Sequence, residues 1–187
     1  MMARGCLISF EGIDGAGKTT QIRALERELR AMGYRISTLR EPGGTEISER
    51  IRELLLDTSS RITPVAEALL YAAARAQLVQ DVVRPLLDEG AVVLADRFID
   101  STIAYQGYGR GLNIEGLHQL NNLATGGLEP DLTILLDIPV ELSSRRRQGM
   151  LADRMENEGV AFQDRVRRGY LEMAGKLPRF RVIDGSL

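Results

Sequence analysis

Residues 12–19 read Gly-Ile-Asp-Gly-Ala-Gly-Lys-Thr and follow directly on the apolar run Cys6-Leu7-Ile8-Ser9-Phe10. This G-x-x-x-x-G-K-T pattern is typical of a phosphate-binding loop, in which a strand, a Gly-rich turn and a helix N-terminus aim backbone N–H groups at one polyphosphate. Lys18 would carry its charge to the β and γ phosphates, and the Thr19 hydroxyl would hold Mg²⁺. The sequence therefore predicts a nucleotide site made by Gly12, Ile13, Asp14, Gly15, Ala16, Gly17, Lys18, Thr19 and Thr20.

Asp14 is unusual in such a loop, because it places a carboxylate inside a cradle for phosphate. A negative charge there opposes the binding of a polyphosphate unless it faces another group, such as a sugar hydroxyl or the shell of a metal ion. The alternative is that Asp14 only caps or tightens the turn.

A second candidate site follows the apolar run at 91–95, which ends in Asp96-Arg97. An Asp at the end of a buried strand is the pattern expected of a second Mg²⁺ anchor facing Thr19, and the forked guanidinium of Arg97 can clamp a second phosphate. An isolated Asp-Arg pair is more often a surface ion pair, but ligands of open α/β sheets collect at the carboxyl ends of strands. We therefore interpret Asp96 and Arg97 as site residues.

Basic residues are also concentrated at Arg145-Arg146-Arg147, shortly before Arg154. Phosphoryl transfer spreads negative charge over the moving group, and an arginine on a closing segment can neutralise it. The segment 143–157 therefore predicts a lid, with a solvated helix face as the alternative, since three consecutive arginines cannot all point one way.

Two further stretches resemble walls for a flat ligand. Tyr71 and Arg75 are four residues apart and share a face if the segment is helical, which would offer an aromatic platform and a forked donor. Residues 101–111 add Thr102, Tyr105 and a Gly-rich end that we expect to be flexible. Taken alone, either stretch favours packing over recognition.

The elements that must position these residues alternate along the chain. Short apolar, β-rich runs are separated by segments with helical spacing, which predicts an α/β fold with a parallel sheet covered on both faces. The predicted strands are 7–10, 35–39, 91–95, 132–136 and 180–183. One helix should end at Gly33; another should begin near Pro64 and run through Val65, Leu69, Ala72, Ala76, Val79 and Val83, until Pro85 kinks or frays it. His118 falls in a further helical segment and is interpreted as structural.

Composition restricts the class of protein. The chain has 187 residues, 44% of them hydrophobic, and a net charge of −2, which indicates one globular domain spanning 1–187. The 24 Lys and Arg are outnumbered by 26 Asp and Glu, so we expect no nucleic-acid partner. No segment approaches the roughly 18 continuous apolar residues of a membrane helix, and the lone Cys6 fits a reducing compartment, so we expect a cytoplasmic protein without a membrane partner.

Six segments together resemble the thymidylate kinase family, whose members phosphorylate dTMP to dTDP with MgATP on the way to dTTP. They are Phe-Glu-Gly-Ile-Asp-Gly-Ala-Gly-Lys-Thr-Thr at 10–20, Arg-Glu-Pro-Gly-Gly-Thr at 40–45, Tyr-Ala-Ala-Ala-Arg at 71–75, Asp-Arg-Phe at 96–98, Ser-Thr-Ile-Ala-Tyr-Gln-Gly at 101–107 and Asp-Arg-Met-Glu at 153–156. A phosphate loop alone is shared by many folds, whereas the 40–45 and 101–107 segments are specific. The resemblance implies the fold of nucleoside-monophosphate kinases, a five-stranded parallel sheet with helices on both faces.

The resemblance also implies a division of roles in the acceptor site. Arg97 would grip the dTMP phosphate, Asp14 would meet the sugar hydroxyl, and Tyr71, where the family often has Phe, would stack on thymine. Arg75 and Thr102 would contact the base edge, and Tyr105 would lie under the deoxyribose. The set of dTMP-binding residues is then Asp14, Glu41, Tyr71, Arg75, Arg97, Thr102 and Tyr105, and the Glu41-Pro42 bond is expected to be cis because this proline lies in a tight Gly-rich loop beside the acceptor site.

Members of the family carry a catalytic arginine either in the phosphate loop or in the lid. No arginine lies between Gly12 and Lys18, which predicts the lid subgroup with Arg147 and Arg154 as candidates and Arg146 behind them. The predicted catalytic set is Lys18, Arg97, Asp14, Arg147 and Arg154, with Mg²⁺ at Thr19 and Asp96. The resemblance further implies a homodimer, and one more helix in family members beyond the point where this sequence ends.

Two other functions are compatible with a phosphate-binding loop. The first is another nucleoside or nucleotide kinase on the same fold, which a panel of monophosphates would distinguish. The second is a GTP-binding switch protein, which should read guanine with an Asn-Lys-x-Asp segment after a late strand; here the fourth strand is followed by Asp137-Ile138-Pro139-Val140.

Overall fold

The computed structural model describes residues 4–149 and 154–186. Its centre is a five-stranded sheet in the order β2-β3-β1-β4-β5, and every neighbouring pair is parallel. The strands are β1 Cys6–Glu11, β2 Ile36–Arg40, β3 Val92–Asp96, β4 Leu132–Asp137 and β5 Phe180–Asp184. This confirms the predicted five-stranded parallel sheet, and every strand bound lies within one residue of the sequence-based one.

Helices cover both faces of the sheet, as predicted. They are α1 Lys18–Ala31, α2 Glu46–Leu56, α3 Pro64–Leu78, α4 Arg84–Asp88, α5 Ile99–Thr102, α6 Ile114–Thr125, α7 Val140–Arg146 and α8 Val160–Lys176. Wide π-helical turns at Val79–Val83 and Ile103–Gly109 join α3 to α4 and extend α5, and a 3₁₀ turn at Glu156–Glu158 precedes α8. No helix in the described ranges combines the length and the apolarity that crossing a membrane requires.

The alternation of side chains along the central strands explains the two covered faces. Leu7 on β1 packs with Val93 and Ala95 of β3 in one buried cluster beneath the end of α3. Phe10 points to the other face and packs with Leu94 and with Ile22 of α1. Because successive side chains of a strand point to opposite faces, each central strand contributes to two cores at once.

The strand register brings the chemistry to one edge. Phe10 at the end of β1 lies opposite Asp96 of β3, and Arg40 of β2 lies opposite the same Asp96. The carboxyl ends of β1, β2 and β3 therefore meet, and the segments that follow them, including the phosphate loop, converge on a single region.

The sequence predicts that Pro85 kinks or frays the end of its helix, and the structure shows the helical chain continuing past this residue. The chain remains helical to Asp88, and the irregularity lies upstream, in the wide turn Val79–Val83. A proline inside a helix lacks an N–H and its ring collides with the carbonyl four residues earlier, and a π turn in front of it accommodates both effects.

Within the Gly-rich end of 101–111, Gly107 and Gly109 are helical and tightly packed, which corrects the expectation of a flexible end at these two residues; Gly111 lies beyond the helical turn and has no atom within 4 Å of a Cβ position. A Cβ on Gly107 would lie 2.4 Å from Ile114 Cδ1, and a Cβ on Gly109 would lie 2.7 Å from the Phe162 ring. These glycines therefore permit a close approach between the wide turn Ile103–Gly109 and the helices α6 and α8.

In α3, the burial of several side chains is the opposite of what the apolar pattern of the sequence predicts. Val65 and Leu69, which belong to its apolar stripe, are 58% and 53% exposed, whereas Glu67 and Arg75 are 0% and 2% exposed. The charged residues are buried because both find ionic partners inside the fold, as described below.

Candidate active site

A cleft of about 1170 Å³ opens at the carboxyl edge of the sheet. One wall is formed by the phosphate loop and α1, and the opposite wall by α3 and the turn Ile103–Gly109. The predicted site residues that line this cleft are Asp14, Gly15, Ala16, Gly17, Lys18, Thr19, Thr20, Glu41, Tyr71, Arg75, Asp96, Arg97, Thr102, Tyr105 and Arg147. Gly12, Ile13 and Arg154 are not among the residues that line it. The structure thus brings the residues of the two predicted nucleotide sites to one continuous space.

The phosphate loop wraps around the ammonium group of Lys18. Lys18 begins α1, and its Nζ donates to the carbonyl oxygens of Gly12 at 3.1 Å and Ile13 at 3.2 Å. Gly12 has φ of +132°, and a Cβ there would lie 2.4 Å from the carbonyl oxygen of Leu136. Only glycine fits this position, so the loop can turn tightly against β4 and present its centre to the cleft.

Thr19 and Asp96 form the candidate metal site. The Thr19 hydroxyl donates to Asp96 Oδ2 at 2.9 Å, so a hydroxyl and a carboxylate from different elements meet at the cleft surface. Mg²⁺ prefers oxygen ligands and keeps several waters, binding through one or two protein groups together with substrate phosphates. Across 4–149 and 154–186, no group of three His, Cys, Asp or Glu side chains forms an all-protein metal cage. The Thr19 and Asp96 pair fits the sparse protein ligation of Mg²⁺.

Arg97 is held in an unusual backbone conformation at the centre of the cleft. Its φ is +72°, in the left-handed region that non-glycine residues rarely adopt. Its guanidinium donates to four oxygen acceptors, and it lies 4.8 Å from the centroid of the Tyr105 ring. The acceptors are the Gly12 carbonyl at 3.0 Å, Tyr170 Oη at 3.1 Å, Asp14 Oδ1 at 2.7 Å and Tyr105 Oη at 3.0 Å. Both the backbone and the tip of Arg97 are therefore fixed.

Asp14 is an anion within a group of cations. Burial opposes its ionisation, but the charges of Arg97, Lys18 and, more weakly, Arg147 outweigh that effect and hold the pKa of Asp14 well below its usual range. Burial, followed by the charge of Arg97, lowers the pKa of Lys18. Asp14 thus offsets part of the positive charge at the cleft, and its carboxylate is available there as a hydrogen-bond acceptor.

Arg75 on α3 connects several residues of the wall that faces the phosphate loop. Its guanidinium donates to Glu41 Oε2 at 2.7 Å, Thr102 Oγ1 at 2.8 Å, Asn121 Oδ1 at 2.7 Å and the Phe98 carbonyl at 3.1 Å. Burial raises the pKa of Glu41, against the opposing charge of Arg75. The Glu41-Pro42 bond that leads into this wall is cis, which confirms the sequence-based hypothesis. The predicted base-contacting residues Arg75 and Thr102 are directly bonded to each other.

Two of the three lid arginines at the end of α7 lie at the phosphate loop. Arg147 lines the cleft, with its Cγ 3.5 Å from the place that a Cβ on Gly15 would occupy. Arg146 donates to the Gly15 carbonyl at 3.2 Å and to the Gly185 carbonyl at 2.9 Å, and so ties the loop to the segment after β5. Of the predicted lid at 143–157, residues 150–153 lie outside the described residues.

Arg154 lies away from the phosphate loop, in a buried ionic cluster. It donates to Glu67 Oε2 at 2.6 Å and to the Leu55 carbonyl at 2.8 Å. Glu67 also accepts from Arg110 and from Gln106. Burial would raise the pKa of Glu67, but the hydrogen bonds from Arg110, Gln106 and Arg154 lower it, so the carboxylate stays charged. The structure therefore separates the two candidate catalytic arginines.

Sequence reasoning missed several residues at the cleft. Arg52 on α2 lines it and donates to the Pro42 carbonyl at 3.0 Å, and Gln106 and Met155 also line it. Tyr170 on α8 accepts a hydrogen bond from Arg97. Gln106 falls within the quoted 101–107 segment, and Met155 within 153–156, but no local pattern distinguishes Arg52 or Tyr170 from ordinary helix residues.

The comparisons with known proteins agree on one family. A sequence model of the family described as thymidylate kinase matches residues 10–187. A thymidylate kinase of Desulforudis audaxviator is 57% identical over 181 residues, covering 96% of this chain and 82% of the relative. That of Caldanaerobacter subterraneus subsp. tengcongensis is 52% identical over 183 residues, covering 97% and 88%.

A solved structure agrees with the sequence relatives. The crystal structure of thymidylate kinase from Ehrlichia chaffeensis superimposes with a TM-score of 0.81 at 36% identity, covering 96% of this chain and 93% of that one. The match extends over nearly all of the chain. On these grounds the chain belongs to the thymidylate kinase family.

Proposed function

We propose that this chain transfers the γ-phosphoryl group of ATP to dTMP, releasing ADP and dTDP as a step toward dTTP. The observation that carries the proposal is the single cleft in which a phosphate loop faces a wall made of Tyr71, Arg75, Thr102 and Tyr105. A donor polyphosphate on the loop and an acceptor monophosphate at Arg97 would then lie in the same cleft. Family membership supports the same activity.

Each nucleotide has its own set of residues in this proposal. ATP binds at 12–20, with its β and γ phosphates at Lys18. The thymine of dTMP stacks on Tyr71 with its edge at Arg75 and Thr102, while Glu41 supports that edge through Arg75. Asp14 accepts from the sugar hydroxyl, and Tyr105 supports the deoxyribose. Four of the five N–H groups of the Arg75 guanidinium make these bonds, and its Nη2 also lies 2.7 Å from Glu41 Oε2, so a base carbonyl would share a donor with a protein atom.

The chemical step needs charge stabilisation rather than a strong base. An oxygen of the dTMP phosphate attacks the γ-phosphorus in line, and the bond from that phosphorus to the β–γ bridging oxygen breaks; the attacking oxygen is already anionic. Thr19 and Asp96 would hold Mg²⁺, which, when bound, supplies positive charge beside the β and γ phosphates. Lys18 and Arg97 stabilise the charge that spreads over the moving group.

We assign the catalytic charge of the lid to Arg147 rather than to Arg154. Arg147 lines the cleft beside Gly15, whereas Arg154 is bonded to Glu67 and to the end of α2. An ionic bond to a buried carboxylate holds an arginine in place, and moving it to the phosphates would leave that carboxylate with one partner fewer. The segment 143–157 remains proposed as the lid.

The pair Arg147→Ala and Arg154→Ala tests this assignment. We expect Arg147→Ala to lower kcat by about 10²-fold with little change in either KM, because the lost charge acts mainly in the transition state. Arg154→Ala should lower kcat by less than about tenfold and should reduce thermal stability instead, since Glu67 loses a buried partner. Steady-state kinetics and thermal unfolding of both proteins make the comparison. An equal loss of kcat in the two variants would contradict the assignment.

The function itself is tested by the choice of acceptor. ADP release is measured with dTMP, dUMP and dGMP at equal concentrations, with MgATP as donor. We expect dTMP to have the highest kcat/KM by at least about tenfold, since the proposed wall is built for one base. A higher kcat/KM for another monophosphate would replace this function with that of a related nucleotide kinase.

We further propose a homodimer and a cytoplasmic location, the latter supported by the free thiol of Cys6. The dimer would cover the exposed apolar side chains of three helices that pack on one another, α2, α3 and α6. They are Ile47, Leu54, Val65, Leu69 and Leu123.

A charge placed at this surface should dissociate the dimer. We expect wild-type chain to sediment as a dimer at micromolar concentration and Leu69→Glu to sediment as a monomer, because a carboxylate cannot be buried unpaired at an interface. Leu171→Glu on α8 is the matched control and should remain dimeric. A monomeric wild type, or a dimeric Leu69→Glu, would refute the proposed interface.

A further inference from the structure

Glu11, the last residue of β1, carries a fully buried carboxylate that the proposed mechanism does not use. Its Oε1 accepts the backbone N–H of Phe98 at 2.8 Å. Its Oε2 accepts the hydroxyl of Ser101 at 2.6 Å and that of Tyr170 at 2.8 Å. All three partners donate, so the hydrogen-bond pattern is the one that a charged carboxylate, a pure acceptor, satisfies.

The hydrogen bond from Phe98 to Glu11 helps to fix the backbone of Arg97. The N–H of Arg97 is donated to the Phe10 carbonyl at 3.0 Å, and the next N–H along the chain, that of Phe98, is donated to Glu11. The left-handed conformation of a non-glycine residue persists only when its surroundings impose it. Two successive N–H bonds to the end of β1 impose it here, and the second of them depends on the side chain of Glu11.

The same carboxylate also reaches the tip of Arg97. Tyr170 Oη donates to Glu11 and accepts from Arg97 Nη1, at 3.1 Å. Ser101 Oγ lies 3.0 Å from Tyr170 Oη, so the two hydroxyls that donate to Glu11 are direct neighbours. Glu11 therefore fixes the guanidinium of Arg97 through one hydroxyl and its main chain through one amide.

We propose that Glu11 is a positioning residue for the acceptor phosphate, which sets the place of the Arg97 guanidinium without touching either nucleotide. This inference rests on the proposed function, in which Arg97 grips the acceptor phosphate. A misplaced Arg97 would weaken acceptor binding more than donor binding, because the donor phosphates are held mainly by Lys18 and by the backbone N–H groups of the loop.

The protonation state of Glu11 connects this network to pH. Burial, and then the negative charge of Asp100, raises the pKa of Glu11 to about 7, although Arg97 and the hydroxyls of Ser101 and Tyr170 lower it. The charged and titratable groups that face Glu11 are Lys18, Arg97, Asp100, Tyr170 and Arg179. A proton on the carboxyl turns one of its acceptor oxygens into a donor, which removes one of the three bonds. Acceptor affinity should therefore fall as the pH falls through about 7.

The test is Glu11→Gln, which keeps the size of the side chain but replaces one acceptor oxygen by an NH₂ donor. We expect KM for dTMP to rise roughly tenfold, since one bond to a charged group is lost, while KM for ATP stays within about twofold. The pH profile of kcat/KM for dTMP should lose an inflection near 7 that the wild type shows. An inflection that persists in both proteins belongs to the phosphate of the acceptor itself.

Matched controls separate positioning from general loss of structure. Asp131→Asn is the first, because Asp131 also accepts a backbone N–H of β1, that of Leu7 at 2.8 Å, but lies outside the cleft lining. Its KM for dTMP should equal that of the wild type. Tyr170→Phe removes only the hydroxyl between Glu11 and Arg97 and should raise the same KM even if Glu11→Gln does not fold. Tyr108→Phe, which loses a bond to Glu172, should not.

The results that would refute the role of Glu11 differ from those that would refute the proposed function. A wild type that phosphorylates a different monophosphate would refute the proposed function, and the KM comparison would then be made with that acceptor. An active wild type with an unchanged acceptor KM and pH profile in Glu11→Gln, or an unchanged acceptor KM in Tyr170→Phe, would overturn the role of Glu11 alone.

Discussion

The Lys18→Ala variant is expected to lose about 10²- to 10³-fold in kcat for the formation of dTDP while remaining folded. The ammonium group lies at the centre of the phosphate loop, bonded to the carbonyls of Gly12 and Ile13. No arginine lies in the loop to replace its charge, so the γ-phosphoryl group would develop negative charge against one cation fewer. Steady-state kinetics with saturating MgATP and dTMP measures the loss.

The chain provides its own control for this experiment. Its other lysine, Lys176, lies exposed at the end of α8, 3.6 Å from Glu172. Lys176→Ala removes the same charge from the surface and should leave kcat unchanged, because an exposed ion pair contributes little. Circular dichroism and thermal unfolding establish that both variants fold. A folded Lys18→Ala protein with near-normal turnover would refute the assignment of the loop as the catalytic phosphate site.

The Arg97→Ala variant is expected to lose a comparable factor, about 10²- to 10³-fold, in kcat/KM for dTMP. Its guanidinium is the cation that joins the loop to the acceptor wall, through Asp14 and Tyr105. Removing it takes away the proposed grip on the acceptor phosphate. It also leaves Asp14 with Lys18, at 3.7 Å, as its nearest ion-pair partner, so the pKa of Asp14 should rise toward its usual range.

A conservative change at the same position sharpens this prediction. Arg97→Lys keeps the charge but replaces a fork by a point charge, which cannot meet four acceptors at once, so it should restore only part of kcat/KM. Arg167→Ala is the matched control: Arg167 makes an equally short pair with Asp137 at 2.7 Å, on α8 and away from the cleft lining. Full activity of Arg97→Ala, or equal losses in the two alanine variants, would contradict the proposed role.

The sequence predicted the fold, and it also drew attention to the phosphate loop of the candidate site, because the determinants of both are local. Each strand is a short apolar run, and the loop at 12–19 carries its glycines, lysine and threonine within eight residues. Gly33 stops α1 as predicted, with φ of +88° just beyond the helix end. Such features depend on backbone conformation and neighbouring side chains, which periodicity and spacing report directly.

The wall that faces the loop was harder to predict from the sequence, because its contacts join residues far apart in the chain. Tyr170 meets Arg97 across 73 positions and Glu11 across 159 positions. The apolar pattern of α3 predicts a buried Leu69, but Leu69 is 53% exposed, and the pattern gives no indication that Glu67 is buried. Glu67 is buried because Arg110 and Arg154, which belong to other elements, form ion pairs with it. No pattern within α3 indicates those partners.

The same distinction applies to the lid. Sequence spacing treats Arg147 and Arg154 as equivalent candidates, since both lie in a basic segment of the predicted length. Only three-dimensional packing assigns one to the rim of the phosphate loop and the other to the carboxylate of Glu67. The identity of an arginine's partner, rather than its place in a motif, separates the two roles.

The glycines that let the acceptor wall approach its neighbours also limit how this protein can be engineered for stability. Replacing a helical glycine by alanine ordinarily stabilises a protein by roughly 0.5–1 kcal/mol. At Gly109 and Gly169 the added carbon would lie 2.7 Å from Phe162 and 2.5 Å from Tyr108, so the wall itself would have to move. Gly175 on α8 has no atom within 4 Å of that position. Thermostabilising substitutions therefore belong at Gly175 and away from the wall, where one methyl group would change the shape of the acceptor site.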